Sequence, residues 1–403
     1  MAHFVKSTVL GGNFETPERY TDPKTLKIGV SGLVWYVIAI HESANFDVLC
    51  NLTTLFTVSS SWDQVNQQYV AVKKILNPFA TPATAQSIFR EIKLLKHLRH
   101  DNECCSMAVP LWIKLTMKQI ISPVDIFISP AEDIYLVTDL MQTDLRTLIE
   151  SKSIGDEFVP FLLYQMLRGL KYLHSASIPH GDLRPESILI NQNCDLKICD
   201  LGLPGVQETH AMSYIATRCY RAPELLLTCQ SYDEKVDIWS AGCIFAEMLQ
   251  GRPLFTGRNH VEQFCAMTEL LGTPSDDLLA KITSQSTLHF IQSLPYYEGT
   301  GLSNMNSNFV STALNLLERM LVFDRNERIS ASDALAALYL AAYHDPTDEP
   351  IADHIYDWSI HERWSSNNTL KMELYDEIID YHKQSEIRQF VKNWAQSTSG
   401  AQC

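Results

Sequence analysis

Hydrophobic positions in the first third of the chain follow the pattern of β-strands. Three runs rich in Val, Ile and Tyr, bounded by Gly, Pro or Asp, predict strands over residues 25–35 (TLKIGVSGLVW), 67–76 (QQYVAVKKIL) and 133–141 (DIYLVTDLM). One helix is predicted near residues 85–98. Its apolar face consists of Ile88, Ile92, Leu95 and Leu98, which recur at helical spacing.

The rest of the chain follows mainly a helical pattern. Amphipathic or apolar segments predict helices over residues 158–175, 237–249, 310–321 and 331–340. The segment 237–249 (DIWSAGCIFAEML) is apolar almost all round, which predicts a buried core helix. We therefore expect an α+β fold, with a small strand-rich lobe followed by a larger helical lobe and a boundary near residues 141–144. A ligand cleft between lobes is the default expectation for such a chain.

Composition and charge narrow the function classes. The 403 residues carry 32 Lys and Arg against 47 Asp and Glu, a net charge of −15 that disfavours nucleic-acid binding and leaves open an acidic patch for basic peptides. Apolar runs are too short for a membrane span, and the first residues lack the apolar core of a signal peptide. The ten cysteines are irregularly spaced without a CxxC pair, which argues against zinc and for reduced intracellular thiols.

Candidate chemistry begins with Lys73 at the end of a strand and Glu91 on the following helix. Alone, each would be an ordinary surface charge, and Gly29–Gly32 (GVSG) between two strand-like runs would be an ordinary hairpin. Four downstream motifs, in this order, change that interpretation: HGDLRPES at 180–187, DLG at 200–202, TRCYRAPE at 217–224 and DIWS at 237–240.

These motifs resemble the catalytic loop, the DFG motif, the APE segment and the large-lobe helix of protein kinases. The surrounding sequence is similar to the stress-activated MAP kinases, and within them to the fungal osmosensing (high-osmolarity glycerol) MAP kinases, from Arg19 to about His382. The resemblance implies a bilobal kinase fold and transfer of the ATP γ-phosphoryl group, with Mg²⁺, to Ser or Thr before Pro in osmotic-stress signalling.

The resemblance also implies a role for individual residues. Asp182 would accept the substrate hydroxyl proton, Asp200 and Ser187 would hold Mg²⁺, and Lys73, oriented by Glu91, would bind the phosphates. Arg328 would pair with Glu224 as a structural ion pair. The nucleotide-contacting positions would be Leu26, Gly29, Gly32, Leu33, Val34, Lys73, Thr138, Leu140, Met141 and Asp144.

Several positions depart from the family pattern. The first loop Gly is Lys27, the catalytic-loop Arg is Gly181, the catalytic-loop Lys is Arg184, and the second metal-binding Asn is Ser187. We therefore expect a kinase with weakened catalysis. The alternative is a pseudokinase that holds partners without catalysis.

The activation loop departs as well. It reads Met212-Ser213-Tyr214 where the family has Thr-Gly-Tyr. Tyr214, and Ser213 as a substitute acceptor, remain candidates for phosphorylation. Arg218 and Arg221 are the candidate phosphate partners.

Two segments, 35–59 and 103–119, exceed the family pattern and carry no motif. They are either surface-loop insertions, which are thermodynamically mild, or translated introns. Trp35-Tyr36-Val37 can be encoded with a GTATGT donor, and Gln119 by a CAG acceptor.

The expected organisation follows from these features. Residues 20–141 form the N-lobe, 142–340 the C-lobe, 341–383 an extension with a docking patch and 384–403 a flexible tail. The acidic residues Asp345, Asp348 and Glu349 match the family's docking patch for an upstream MAP kinase kinase, substrates and phosphatases. We expect a monomer in cytoplasm and nucleus, with no nucleic-acid or membrane partner.

Overall fold

The computed structural model describes residues 4–9, 12–30, 55–103, 119–201, 218–227, 233–282, 284–304, 309–362 and 369–383. The chain divides into two compact units. The first combines residues 1–100, 121–140 and 357–403, and the second combines residues 101–120 and 141–356.

The first unit is rich in antiparallel strands. Its strands are β1 (Phe4–Val9), β2 (Gly12–Pro17), β3 (Tyr20–Val30), β4 (Leu55–Asp63), β5 (Gln68–Ile75), β6 (Pro123–Ile128) and β7 (Ile134–Asp139). A five-stranded sheet has the order β3-β4-β5-β7-β6, and β1 and β2 form a separate hairpin. The three strands expected from sequence are present as β3, β5 and β7.

One hydrophobic cluster of this unit lies on one face of the sheet. Val70 and Val72 of β5 are fully buried together with Val137 of β7, as expected of alternating apolar positions. The β1–β2 hairpin, which the sequence analysis missed, contributes Phe14 to the same cluster. Tyr135 in the centre of the cluster accepts a hydrogen bond from the Glu15 amide at 3.0 Å.

Helix α1 (Pro82–Glu103) and a C-terminal helix over residues 369–383 complete the first unit. Glu377 of the C-terminal helix bonds both Lys93 and Lys96 of α1, and the Tyr381 hydroxyl donates to the Pro123 carbonyl at 2.8 Å. The C-terminal helix is therefore an integral part of the strand-rich unit.

The second unit is mainly helical. Its helices are α2 (Leu145–Glu150), α3 (Val159–Ser175), α4 (Pro223–Leu227), α5 (Lys235–Gln250), α6 (His260–Leu271), α7 (Asp276–Leu279), α8 (Gln285–Gln292), α9 (Ser311–Met320) and α10 (Ala331–Leu335). A small sheet has the order β10 (Leu196–Ile198), β9 (Ile188–Ile190), β8 (Thr143–Asp144). Helix α5 is buried on nearly all sides, as predicted.

One predicted helix boundary was wrong. The helix expected over 331–340 ends at Leu335, because Ala337 is extended (ψ 147°) and a separate 3-10 turn follows over Leu338–Leu340. Residues 55–59 of the first extra segment belong to β4, where Ser59 is buried and pairs with Val72.

The second extra segment, 103–119, also reaches into regular structure. Glu103 is the last residue of α1. Gln119 is buried in the second unit, where its carbonyl accepts from the Ile198 amide at 2.7 Å.

No helix among the residues that the structure describes is both long and apolar enough to cross a membrane.

Candidate active site

Lys73 and Glu91 form an ion pair in the first unit. Strand β5 places Lys73 opposite Leu136 of β7, and α1 presents Glu91. The Lys73 Nζ lies 3.0 Å from Glu91 Oε1 and 3.3 Å from Oε2. Both side chains are about one-fifth exposed, so the pair remains open to a ligand while holding the lysine in one direction.

The other nucleotide-binding candidates of this unit are only partly described. Leu26 and Gly29 lie in β3, where Gly29 pairs with Phe56 of β4. Thr138 is in β7, half-buried, and Leu140 follows the strand directly. Gly32, Leu33 and Val34 lie outside the described residues.

Met141 and Asp144 belong to the second unit. Met141 is partly exposed, whereas Asp144 is buried and caps α2. Its Oδ1 accepts from the amide and the hydroxyl of Thr147, each at 2.9 Å. Asp144 was expected to contact the ribose of the nucleotide, and its Oδ1 is already engaged in capping α2.

A buried carboxylate holds the catalytic loop in the second unit. Asp237 of α5 accepts from the amides of His180 and Gly181, each at 2.8 Å, and from His174 Nε2 at 2.8 Å. Burial raises the pKa of Asp237, but the bonds from His174 and the backbone lower it more, so the net shift is downward. The sequence analysis saw the DIWS motif but assigned Asp237 no role, because its partners lie about 60 positions away.

Two backbone positions of the site are left-handed. Asp200 has φ +63°, which is uncommon for a residue with a side chain and is typical of functional sites. Gly181, which replaces the family's Arg, has φ +77°, a conformation that glycine adopts without strain. The peptide segments around both are tied together, since His180 Nε2 bonds the Cys199 carbonyl at 2.9 Å and the Cys199 amide donates to the Ser187 carbonyl.

Arg184 lies among the acidic residues of the loop. Its Nε is 3.7 Å from Asp182 Oδ2, too long for a hydrogen bond, and the buried Nε–H has no hydrogen-bond partner among the described residues. Burial lowers the pKa of Arg184, but Asp182 and Asp200 raise it more, so the guanidinium is held charged. The two aspartates expected to act in catalysis thus share one buried cation.

Ser187 is committed to the catalytic loop itself. It is fully buried, and its hydroxyl donates to the Arg184 carbonyl at 2.8 Å and accepts from the Arg184 amide at 3.1 Å. These bonds close a 3-10 turn over Pro185–Ser187. The geometry therefore gives Ser187 a structural task and does not support the expected one as a metal ligand.

The activation-loop candidates Ser213 and Tyr214 lie outside the described residues, as does Met212. Arg218 is buried, and its Nη1 donates to the Gly257 carbonyl at 3.4 Å. Arg221 is partly exposed.

The expected ion pair between Glu224 and Arg328 is present. The two contacts, at 2.7 and 3.0 Å, are bidentate, and the Arg328 side chain is fully buried. Arg328 also donates to the Val322 and Lys235 carbonyls and stacks over Trp239. The satisfied network makes this a structural anchor for the APE segment.

The three acidic docking candidates differ in exposure. Asp345 is exposed, and Asp348 is partly exposed while pairing with Arg168 at 2.8 Å. Glu349 has no exposed side-chain surface, because Lys171 (3.0 Å) and His344 (2.7 Å) bind its two oxygens. Glu349 therefore has no accessible oxygen for a docking peptide, and the docking role of the acidic patch stays a prediction.

No group of three or more His, Cys, Asp or Glu side chains suited to a metal ion occurs within the described ranges.

Comparison with known proteins agrees with this geometry. Residues 55–340 match the protein kinase domain family. The chain is 49% identical over 382 residues to "Mitogen-activated protein kinase HOG1" of Cryphonectria parasitica, covering 95% of both chains. It is 48% identical over 393 residues to the protein of the same name of Alternaria brassicicola, covering 98% of this chain and 99% of the relative. The fold is the bilobal α+β fold expected from the motifs, and the chain belongs to the mitogen-activated protein kinases.

Proposed function

We propose that this protein is a proline-directed serine/threonine kinase of osmotic-stress signalling whose chemical step is slower than that of its relatives. As a mitogen-activated protein kinase it uses ATP and Mg²⁺ to phosphorylate proteins. The observation that carries the proposal is the state of its charged residues. Lys73 is held by Glu91 in one unit, and in the other the buried Arg184 lies 3.7 Å from Asp182 and remains charged.

Lys73 binds the phosphates of the nucleotide in this proposal. Glu91 holds the ammonium group at the strand end, which lowers the entropy that Lys73 loses on binding. The pair is partly exposed, so the ammonium group can reach a phosphate oxygen without breaking from Glu91. Leu26, Gly29, Thr138, Leu140, Met141 and Asp144 are proposed to contact the rest of the nucleotide.

Asp182 orients the hydroxyl of the substrate and accepts its proton. Arg184, whose Nε–H lacks a hydrogen-bond partner among the described side chains, supplies a fixed positive charge for the transferred phosphoryl group. The Nε–H is itself buried, so Arg184 acts through its charge and not as a direct phosphate ligand.

Asp200 is the proposed Mg²⁺ ligand, and bound Mg²⁺ would neutralise charge on the phosphates. The family's second ligand, an Asn, is Ser187 here, and its hydroxyl is already bonded to Arg184. Loss of one charge-stabilising group costs about 10²–10³ in rate. We infer that catalysis is weakened and not abolished, because Asp182, Asp200 and Lys73 are all present.

Regulation is proposed to run through Tyr214, with Ser213 as a second acceptor and an upstream MAP kinase kinase as donor. Arg218 and Arg221, near the APE segment, are the proposed phosphate partners. We also propose that the protein is a monomer that moves between cytoplasm and nucleus.

Docking is proposed to use Asp345 and Asp348, which are accessible, with Glu349 as a positioning residue behind them. Partners would be basic segments of upstream kinases, phosphatases and substrates. Asp345→Asn should weaken binding of a Lys/Arg-rich peptide, whereas Glu349→Gln should mainly lower the free energy of unfolding. Equal peptide affinity in wild type and Asp345→Asn would contradict the docking role.

Transfer of ³²P from ATP to a Ser-Pro peptide tests the central proposal. Asp182→Asn is the matched control, because it keeps the size of the side chain and removes the proton acceptor. We expect Mg²⁺-dependent transfer in the wild type that falls at least about 100-fold in the variant. Absence of transfer in both, with no thermal shift by ATP and Mg²⁺, would indicate a pseudokinase.

A further inference from the structure

One arginine of α2 joins the catalytic loop to the activation segment. The Arg146 guanidinium donates from Nε to Glu186 at 2.9 Å, from Nη1 to Glu247 at 2.6 Å, and from Nη2 to the Tyr220 hydroxyl. The Tyr220 hydroxyl in turn donates to Glu247 at 2.7 Å. Every nitrogen of the guanidinium is engaged.

The positions of the partners place this network between the catalytic loop and the turn over Arg218–Tyr220. Glu186 lies in the 3-10 turn of the catalytic loop, four residues after Asp182. Tyr220 lies in the turn that precedes the APE segment, and its carbonyl is held by the Ser240 hydroxyl at 2.7 Å. We place a peptide whose hydroxyl reaches Asp182 along the side of the catalytic loop that carries Glu186.

Arg146 is the cation that pairs with both carboxylates of this network. The Glu247 side chain is fully buried, and burial raises its pKa although Arg146 opposes the shift. The Arg146 and Glu186 side chains are each 15% exposed, so one end of the network opens to solvent. Without Arg146, two carboxylates and a phenol would line a recess with the shape and charge that suit a guanidinium.

We propose that Arg146 is a specificity-determining residue: it fills, from within the chain, an anionic recess that would otherwise bind an arginine of the substrate. The kinase is thereby indifferent to basic residues next to the phosphorylated Ser or Thr. The inference rests on the proposed kinase function, since it concerns the peptide-binding side of that site.

An arginine scan of a Ser-Pro peptide tests the inference. Each position within five residues of the serine is replaced singly by Arg, and kcat/KM is compared with that of the arginine-free peptide. Wild type should show ratios near one. Arg146→Ala should raise the ratio about tenfold at one scan position, the value of a charge-assisted hydrogen bond.

Two controls isolate the charge. Arg146→Lys keeps a cation in the recess and should stay near the wild-type ratio. Arg146→Ala combined with Glu186→Gln removes one carboxylate and should lose most of the gain. A folded Arg146→Ala variant with the wild-type ratio at every position would overturn the proposal.

A second variant and a binding measurement distinguish a loss of folding or of activity from a change in peptide selectivity. If Arg146→Ala does not fold, Arg146→Met, which keeps the apolar stem, replaces it, and failure of both to fold would assign the arginine to stability and overturn the inference. NMR titration of the arginine peptides needs no catalysis, so it decides the inference even where transfer to the arginine-free peptide is absent. That absence would count against the proposed function alone.

Discussion

Ser187 and Arg184 are joined by two reciprocal hydrogen bonds. The Ser187 hydroxyl donates to the Arg184 carbonyl and accepts from the Arg184 amide, which closes the turn that follows Asp182. The same residue that replaces the family's metal-binding Asn thus keeps the catalytic loop in shape. Loss of a metal ligand and retention of loop geometry are separable by mutation.

Ser187→Asn should raise the rate of phosphoryl transfer. An Asn side chain offers a carbonyl oxygen for Mg²⁺, and we expect kcat to rise about tenfold or more, part of the 10²–10³ that one charge-stabilising group supplies. Steady-state kinetics at varied Mg²⁺ concentration measures the change. Ser187→Ala is the control. It removes the turn bonds, should cost about 1 kcal/mol of unfolding free energy, and gains no rate.

Lys73→Met should lower kcat at least about 100-fold, because the variant lacks the ammonium group that neutralises charge on the phosphates. Lys74→Met is a matched control. Lys74 is the next residue of β5 but lies on the opposite face, buried and paired with Asp133 at 2.9 Å. Its loss should lower stability and leave kcat per folded molecule within about threefold. Equal loss of kcat in both variants would show that Lys73 acts only through folding.

Gly181 and Met212 should behave as a coupled pair. Gly181→Arg places a side chain at φ +77° and should cost about 1 kcal/mol of stability. Alone it has no phosphothreonine to bind. Combined with Met212→Thr and treatment with an active MAP kinase kinase, it should raise activity by more than the product of the single effects. Kinetics of the four proteins, each with and without the upstream kinase, measures this coupling.

The sequence predicted the local patterns of this fold and site well. Alternating valines located β5, a run rich in Ile, Tyr and Val located β7, and the motif spacing brought Lys73 and Glu91 together. It failed where partners are far apart in the chain. The acidic segment at 345–349 suggested that Glu349 was available to a partner, but Lys171, 178 positions away, binds its carboxylate. The β1–β2 hairpin was missed because its strands (FVKSTV and GNFETP) mix polar and apolar residues, and because Phe14 is buried against strands far along the chain.

The extra segments can be tested at the level of the transcript. Residues 55–59 are part of β4, and Gln119 belongs to the second unit. Within the two extra segments, residues 35–54 and 104–118 lie outside the described structure. If they are translated introns, the mature transcript joins the flanking family pattern in frame. Reads that span both segments intact would instead assign them to surface-loop insertions.

His361 should make stability fall at mildly acidic pH. It packs against Phe89 and Trp358 in the first unit, and burial, followed by the charges of Arg90 and Lys93, lowers its pKa to about 4. Between about pH 6.5 and 4 the unfolded chain binds a proton that the folded protein does not, so stability falls as pH drops through this window. The loss should be about 1 kcal/mol, because solvent screening reduces the effect of a half-exposed group.

Denaturant unfolding at pH 7 and pH 4.5 measures the effect. His361→Phe keeps an aromatic ring against Phe89 and cannot titrate, so it should lose about 1 kcal/mol less than wild type between the two pH values. His354→Gln, at an exposed histidine of the same segment, controls for general acid effects and should follow the wild type. If His361→Phe shows the wild-type pH dependence, the proton taken up on unfolding belongs to another group.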